Sequence, residues 1–185
     1  MIDPVISNRD KSCNLCDMKG IDVMITYTTL EDVSYVTLYD AFMKAFVGFR
    51  ITKEADYKTF CEMLESQNYD ASISVGAFDI ETGELVSFVL NSILKNDKET
   101  AYDILTGTIP DYRRLGISSS IFVKVKELLK QKQVKLYTTE VLLNNPDALN
   151  LYLAQGFEIK GEVTNIIKIP NGSREVKEYK IVLKI

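Results

Sequence analysis

The residues best suited to bind an anion lie in the turn that precedes Gly116. Residues 106–118 read Thr-Gly-Thr-Ile-Pro-Asp-Tyr-Arg-Arg-Leu-Gly-Ile-Ser, and Arg113 and Arg114 place two cations in the turn. Free backbone N–H groups and the dipole at a helix N-terminus attract phosphate. Gly116 and Ser118 keep the main chain open to such a group. The spacing predicts a compact anion site, although an ordinary strand-to-helix turn fits it equally well.

The absence of histidine narrows the chemistry. The 185 residues contain no His, which excludes a Ser-His-Asp or Cys-His nucleophile and any His-ligated zinc or haem site. Proton transfer must therefore use Tyr, Asp, Glu, Cys, Lys, Ser or backbone groups. The turn is not a Walker loop, because no Gly-Lys-Ser/Thr follows, and it carries one glycine of the dinucleotide fingerprint. No metal is expected.

Charge is unevenly distributed along the chain. There are 22 basic and 26 acidic side chains, a net charge of −4, which argues against nucleic-acid binding because such domains are usually basic. Residues 113–135 hold seven basic side chains and one acid, Glu127, a net charge of +6, so the rest of the chain carries −10. This basic segment suits a compact anionic ligand. A solvated, lysine-rich helix face is the alternative.

The three cysteines, Cys13, Cys16 and Cys61, are too few for a disulfide framework. Cys13 and Cys16 form an isolated CxxC with no second pair for zinc, and we interpret it as incidental. Residues 1–20 lack the apolar core of a signal peptide, and no apolar run reaches about 18 residues. We expect a cytoplasmic protein with no membrane partner. Whether it forms a homodimer stays open.

The turn is positioned by the elements of one domain, predicted over residues 21–185 after a polar arm at residues 1–20. Alternating patterns predict strands over residues 21–28, 71–78, 85–94, 100–109, 134–142, 157–163 and 176–183. Helical patterns predict helices over residues 30–46 with Thr29 as cap, over residues 53–67, after Gly116, and from Asn145 to Gly156. Antiparallel hairpins in the middle, followed by β-α-β crossovers, predict a mixed α/β (α+β) fold. The interior Gly107 marks a bulge or a close approach.

Two segments resemble the GNAT superfamily of N-acetyltransferases. Arg113-x-x-Gly116-x-Ser118 is similar to the family's acyl-CoA pyrophosphate loop, Gln/Arg-x-x-Gly-x-Gly/Ala, with Ser118 as a departure. Residues 140–157 read Glu-Val-Leu-Leu-Asn-Asn-Pro-Asp-Ala-Leu-Asn-Leu-Tyr-Leu-Ala-Gln-Gly-Phe and resemble the family's strand-5 and helix-4 signature. The resemblance covers about residues 21–185. It implies a mostly antiparallel central sheet of seven or so strands, flanked by some four helices and splayed between its fourth and fifth strands.

The resemblance also implies acetyl-CoA as co-substrate. The backbone of residues 106–108 would bind the pantetheine arm, the amides of residues 114–119 would bind the pyrophosphate, and Asn145 would lie near the pantetheine. The implied cofactor-binding residues are Thr106, Gly107, Thr108, Arg113, Arg114, Leu115, Gly116, Ile117, Ser118, Ser119 and Asn145.

Two further residues carry the implied catalysis. Tyr152 matches a tyrosine that often protonates the departing thiolate, and Glu140 falls where some members place the acid that deprotonates the amine. Direct acyl transfer needs a neutral amine, a stabilised oxyanion and a protonated leaving group, so histidine is not required. The alternatives are a Tyr152 that only packs in the core and a Glu140 that is an ordinary exposed carboxylate.

The sequence says less about the pocket for the acceptor amine. The resemblance places the amine pocket near the first two helices, where Phe42, Phe46, Phe49 and Arg50 lie, although the aromatic residues also fit a core. A small polyamine, an amino acid, an antibiotic and a protein N-terminus all remain candidates. Two other functions stay open: a non-catalytic acyl-CoA sensor on the same fold, and a nucleotide-binding or protein-interaction domain.

Overall fold

The computed structural model describes residues 14–16, 23–48, 56–169 and 172–185. The remainder of the predicted arm, the start of the predicted second helix at residues 53–55, and the acceptor candidates Phe49 and Arg50 lie outside the described residues.

Eight strands and four α-helices are described. The strands are β1 (Asn14–Cys16), β2 (Val23–Thr29), β3 (Val75–Asp79), β4 (Leu85–Leu94), β5 (Asp97–Thr108), β6 (Leu136–Leu142), β7 (Glu158–Ile169) and β8 (Gly172–Lys184). The helices are α1 (Tyr35–Ala45), α2 (Tyr57–Ser66), α3 (Ile117–Gln131) and α4 (Pro146–Ala154). Short 3₁₀ turns occupy Ala71–Ile73 and Pro110–Tyr112.

The strands form one mixed sheet in the order β1-β2-β3-β4-β5-β6-β8-β7. The β5–β6 pair is parallel, and the other described neighbours are antiparallel. The predicted fold class is therefore confirmed. β1 adds a short edge strand, so the predicted strands 4 and 5 are β5 and β6 here.

The sheet splays between β5 and β6. The two strands pair only from Thr100 to Tyr102, opposite residues 136–138, and then diverge. Just beyond this pairing, the β4–β5 register shifts: Asn91 lies opposite Asp103 and Leu90 opposite Leu105, which leaves Ile104 as an extra residue. Such a bulge bends its strand and increases the local twist. The predicted splay is confirmed.

Helices cover the two faces of the sheet. One hydrophobic cluster packs α3 and α4 on the strands and includes Ile121, Phe122, Val125, Tyr137, Tyr152 and Phe157. The other packs α1 and α2 and includes Leu38, Phe42, Phe60, Leu64 and Phe88. Adjacent residues of β4 alternate between the clusters, as side chains of a strand must. Of the helices in the described ranges, none has the length and apolar character needed to traverse a bilayer.

The first helix starts later than predicted. Thr29 is the last residue of β2, and Leu30 is buried with its backbone N–H donating to the carbonyl of Ser74 at 3.1 Å. The helix begins at Tyr35, where Ser34 Oγ accepts from the Thr37 amide at 3.1 Å. Burying Leu30 outweighs the helical propensity of the segment, and Ser34 is the cap.

The second predicted strand, over residues 71–78, begins four residues late. The segment Ala71–Ile73 is a 3₁₀ turn, and β3 starts at Val75. Asp70 Oδ1 accepts from both the amide and the hydroxyl of Ser72, at 2.9 and 2.7 Å. A side chain that binds the backbone two residues on competes with the extended conformation.

The last two strands are longer than predicted. The pattern indicates residues 157–163 and 176–183, whereas β7 and β8 pair from Glu158–Val182 to Ile169–Gly172. The side chains of residues 164–166 and 173–175 are exposed. A ribbon with no buried side has no alternating apolar pattern to mark it.

Candidate active site

A cleft of about 510 Å³ opens where β5 and β6 diverge. Its walls come from the end of β5, the turn before α3, the first turn of α4 and the end of α1. The lining residues are Ala45, Phe46, Thr106, Gly107, Thr108, Tyr112, Arg113, Arg114, Gly116, Ile117, Ser118, Ser119, Asn145, Asp147, Ala148 and Leu151. The structure thus brings every predicted cofactor-binding residue except Leu115 to one cleft. Leu115 is half-buried and packs against the core instead.

The N-terminus of α3 faces this cleft with free backbone donors. No side chain caps the helix, and Gly116 at the cap position has φ 75°. Arg114 also has a left-handed φ, 64°. A Cβ on Gly116 would meet no atom within 4 Å. The turn therefore exposes the amides of the first turn of α3 to open space, which is the arrangement that binds a phosphate.

Ser118, the departure from the family pattern, is used within the turn. Its hydroxyl lies 2.8 Å from Thr108 Oγ1, which lies 2.8 Å from Ser87 Oγ. Ser87 in turn donates to the carbonyl of Gly107 at 3.0 Å. This chain of hydroxyls ties α3 to β5 and β4, so the serine at this position contributes to holding the loop in place.

Arg113 fastens the turn to α1. Its Nη2 donates to the carbonyl of Ala45 at 2.7 Å, and its Nε donates to the carbonyl of Thr108 at 3.0 Å. Ala45 is the last residue of α1, so the guanidinium satisfies a carbonyl that the helix end leaves free. The cation of Arg113 remains exposed at the cleft.

The interior Gly107 marks a close approach rather than a bulge. A Cβ there would lie 2.6 Å from Phe88 Cζ, 3.0 Å from Phe46 Cε2 and 3.1 Å from Ala45 Cβ. The bulge of β5 is at Ile104. The glycine is required because the end of α1 packs directly against this part of the strand.

Tyr112 anchors the other side of the turn, although the sequence did not predict it as a site residue. Its hydroxyl donates to Asp79 Oδ2 at 2.7 Å, and Asp79 Oδ1 accepts from the amides of Glu81 and Thr82. Burial and the bond to Asp79 raise the pKa of Tyr112 to about 12. The contact joins the turn to the β3–β4 hairpin.

Asn145 begins α4 as predicted. Its Oδ1 accepts from the Ala148 amide at 3.2 Å, and Pro146 follows at the first helical position. This cap directs the first turn of α4, with Asp147 and Ala148, along the wall of the cleft.

Tyr152 is buried, with 6% of its surface exposed. Its hydroxyl donates to Asp103 Oδ2 at 2.8 Å, and the Thr106 hydroxyl donates to the same oxygen at 2.7 Å. Because both hydroxyls contact one oxygen, they lie no more than 5.5 Å apart, and Thr106 lines the cleft. Burial, reinforced by the charge of Asp103, raises the pKa of Tyr152 well above its usual value.

Glu140 lies on β6 next to Thr139, whose hydroxyl donates to the Asp103 carbonyl. Side chains of a strand alternate between the two faces of the sheet, and Tyr137 and Val141 pack in the cluster beneath α3 and α4. Glu140 therefore points to the face that α3 and α4 do not cover. There it accepts a 2.5 Å hydrogen bond from the Tyr102 hydroxyl. Burial and this bond raise the pKa of Tyr102. Tyr152 and Glu140 therefore flank the splay from its two faces.

Asp103 is the second residue that sequence reasoning missed. A carboxylate at an inward position of β5, two residues after buried Ala101, is the signal that could have found it. Of the acceptor candidates, Phe46 lines the cleft, whereas Phe42 is buried in the core.

Comparison with known proteins gives a family. The sequence profile described as the acetyltransferase (GNAT) family matches residues 35–157. A search of curated protein sequences found no significant match.

Solved structures with the same fold are numerous, and three serve as examples. The ribosomal-protein-S18-alanine N-acetyltransferase from Escherichia coli is 20% identical, with TM-score 0.67, over 88% of this chain and 94% of that one. Ard1 from Thermoplasma volcanium is 16% identical, with TM-score 0.65, over 87% and 97%. The protein yncA from Salmonella typhimurium, solved with acetyl-CoA as its cofactor, is 9% identical, with TM-score 0.63, over 86% of this chain and 93% of that one. At these identities the likeness is one of fold.

Proposed function

We propose, from the premise that this chain belongs to the acetyltransferase (GNAT) family, that it transfers an acetyl group from acetyl-CoA directly to a primary amine of a small molecule or peptide. The acceptor is not identified. The E. coli relative is named for a ribosomal protein's alanine, and a peptide α-amine is accordingly one of the acceptor classes proposed here.

One observation carries the proposal: the cleft at the splay joins an uncapped helix N-terminus to the unpaired end of β5. The amides of α3 and the cations of Arg113 and Arg114 fit a pyrophosphate at one end. The backbone of residues 106–108 lines the path from there to the splay and fits a pantetheine arm. The residues present therefore fit acetyl-CoA, which supplies an acyl group activated as a thioester.

The chain's own groups fit the two proton transfers. We assign Glu140 as the base that takes a proton from the amine, directly or through water, on the face of the sheet opposite α4. We assign Tyr152 as the acid that protonates the departing sulfur. No residue forms a covalent bond to the acyl group in this scheme.

The hydrogen bond from Tyr152 to Asp103 favours one alternative. A hydroxyl that already donates to a buried carboxylate is a weaker acid, which fits a non-catalytic acyl-CoA sensor that keeps its cofactor cleft and transfers nothing.

Two measurements separate the candidates. Calorimetry with acetyl-CoA, CoA and ATP tests the cofactor. An acetyltransferase or an acyl-CoA sensor binds the first two, whereas a preference for ATP contradicts both of these functions. Thiol release is then followed with a panel of polyamines, amino acids, aminoglycosides and short peptides. Acetyl-CoA binding without release on any amine, at a pH where the amine is neutral, favours the sensor.

A further inference from the structure

Asp103 is a buried carboxyl that the proposed reaction does not yet use. It has 1% of its surface exposed and lies on β5 at the bulge that opens the splay. Burying a carboxylate costs free energy unless it is paired with a cation or fully hydrogen-bonded. Within the described ranges, no basic side chain forms an ion pair with it.

The two oxygens of Asp103 are unequally bonded. Oδ2 accepts from Tyr152 and Thr106, whereas Oδ1 is buried and has no hydrogen-bond partner among the described residues. An ionised carboxylate accepts bonds at both oxygens, whereas a protonated one is also a donor. The site suits a group that changes between the two states.

The groups around Asp103 also favour a carboxyl that changes between its ionised and protonated states. The titratable groups that face it are the hydroxyls of Tyr137 on β6 and Tyr152 on α4, and the Tyr102 hydroxyl lies near it on the opposite face of the sheet. Glu140 and Glu178 act on Tyr102 from further out. Burial raises the pKa of Asp103 to about 6, and polar interactions with Thr106, Tyr152, the Leu105 amide and Tyr137 oppose the rise.

We propose that Asp103 is a positioning residue that sets the direction of the Tyr152 hydroxyl by gaining and losing a proton. Ionised Asp103 accepts the Tyr152 proton, as in the structure, and turns it away from the cleft. Protonated Asp103 donates its own proton to Tyr152 Oη and leaves the Tyr152 O–H free to face the thioester. This role rests on the proposed function, since it acts through the assigned acid.

The proton balance closes in this scheme. The O–H bond of Tyr152 breaks as an S–H bond forms on the departing thiolate. The O–H bond of Asp103 then breaks as its proton restores the hydroxyl of Tyr152. Ionised Asp103 takes one proton from solvent by way of Thr106, which lines the cleft, and the amine releases one proton by way of Glu140.

The first test needs no activity. In protein labelled with ¹³C at tyrosine Cζ, the Tyr152 resonance is assigned by its loss in Tyr152→Phe and followed between about pH 5 and 8. We expect it to shift with a single midpoint near that of Asp103 and to stop shifting in Asp103→Asn, because an amide side chain does not gain or lose a proton in this range.

A matched control is available on the same strand. Asp97 accepts from Thr100 as Asp103 accepts from Thr106, with the same spacing, but Asp97 itself is exposed. Asp97→Asn should leave the Tyr152 titration unchanged.

Two results overturn the proposal: a Tyr152 resonance that does not move over this range, or one that titrates in Asp103→Asn as in the wild type. If Asp103→Asn does not fold, carboxyl ¹³C titrations of the wild type and Tyr152→Phe decide instead. Loss of the Tyr152 bond should move the midpoint of one buried carboxyl upwards, and no such movement contradicts the pairing.

Kinetics test the consequence on any accepted amine. Wild-type kcat should change with pH through the midpoint of Asp103 and kcat of Asp103→Asn should not, so the ratio of the two should change by about tenfold between low pH and pH 8, with KM for acetyl-CoA unchanged. In a Tyr152→Phe background the ratio should stay near one. A ratio independent of pH overturns the proposal. A wild type that acetylates nothing contradicts the proposed function, and the resonance test still decides the role of Asp103.

Discussion

Tyr152 and Asp103 share a buried hydrogen bond next to the wall of the cleft, so each constrains the chemistry of the other. The bond orders the phenol and, while Asp103 is ionised, makes it a weaker acid. On the other face of the sheet, Tyr102 holds Glu140 in the same way. The two assigned proton-transfer residues are thus each oriented by a partner on β5.

Tyr152→Phe removes one hydroxyl and little volume. We expect turnover to fall by about 10² or somewhat more, since a thiolate is already a stable leaving group, while acetyl-CoA affinity stays within a few-fold. Steady-state kinetics on an accepted amine and calorimetry with acetyl-CoA measure the two effects. Full activity across the pH range contradicts the assignment of Tyr152 and leaves the fold and cofactor assignments untouched.

Asp103→Asn should change how stability depends on pH. The folded pKa of Asp103 is about 6, above its ordinary 3.8, so the folded state binds more protons than the unfolded state between these values. Wild-type stability therefore falls as pH rises through this window. The variant lacks this loss, so its free energy of unfolding relative to wild type should improve by up to about 3 kcal/mol between pH 4 and 7.

Urea unfolding at a series of pH values measures this difference, with Asp97→Asn as the matched exposed control. A relative stability of Asp103→Asn that is constant from pH 4 to about 7 contradicts a raised pKa for Asp103.

At the scale of elements, the cleft depends on how α1, α3 and α4 meet the end of β5. Arg113 joins the turn to α1, the chain of hydroxyls from Ser118 joins α3 to β4, and Asn145 sets the first turn of α4. The splay itself follows from the bulge at Ile104, because β6 cannot follow a strand that bends away from it.

Gly116→Val should weaken acetyl-CoA binding strongly, by about tenfold or more, because it places a branched side chain beside the amides of α3. Gly83→Val is the matched control. Gly83 also has a positive φ, 71°, and open space around its Cβ, but it lies in the β3–β4 turn. Both variants place a side chain at a positive φ, and only the first should lose affinity in a calorimetric titration.

Neutralising one lysine of α3 distinguishes the effect of the turn's geometry on acetyl-CoA binding from the effect of electrostatic attraction. Lys130 is suitable for this because its side chain is exposed. Lys126 is less suitable, because it is half-buried and donates a hydrogen bond to Gln155. Lys130→Gln should reduce affinity less than Gly116→Val does. Equal acetyl-CoA affinity of Gly116→Val and wild type contradicts a role of this turn in binding acetyl-CoA.

Gly107→Ala should destabilise the packing of α1 on β5. The new methyl group would meet Phe88 at 2.6 Å and both Phe46 and Ala45 at about 3 Å, and overpacking of this kind costs about 1–3 kcal/mol. Chemical denaturation measures the loss. A variant as stable as the wild type would show that α1 can shift without cost.

At the scale of the whole molecule, an acidic protein with net charge −4 places two cations of its basic segment, Arg113 and Arg114, at the cleft. The five lysines of the segment lie along α3 and after its C-terminal end. The acidic remainder is compatible with a cationic amine acceptor. A cytoplasmic location stays a prediction, and whether the protein forms a homodimer stays open.

Acetyl-CoA affinity should therefore fall with ionic strength. Between about 50 and 500 mM KCl we expect the Kd to rise several-fold, because salt screens the net +6 charge of residues 113–135. Neutral pantetheine should show no such trend. An acetyl-CoA Kd that is independent of salt contradicts electrostatic attraction by this segment.

Local chemistry determined the strand-to-helix turn before Gly116, the start of α4 at Asn145 and the positions of most strands. A helix cap, a left-handed glycine and an alternating apolar pattern are properties of a few consecutive residues, so they can be read without the fold. The resemblance carried by residues 113–118 and 140–157 extended this to the sheet and its splay.

Tertiary structure alone decided what the individual side chains contact. The delayed start of α1, the close approach at Gly107 and the exposed length of the β7–β8 ribbon depend on residues distant in sequence. So does the pairing of Tyr152 with Asp103, which are 49 residues apart. The identity of a buried hydrogen-bond partner is set by which elements pack together, and no pattern within one segment records it.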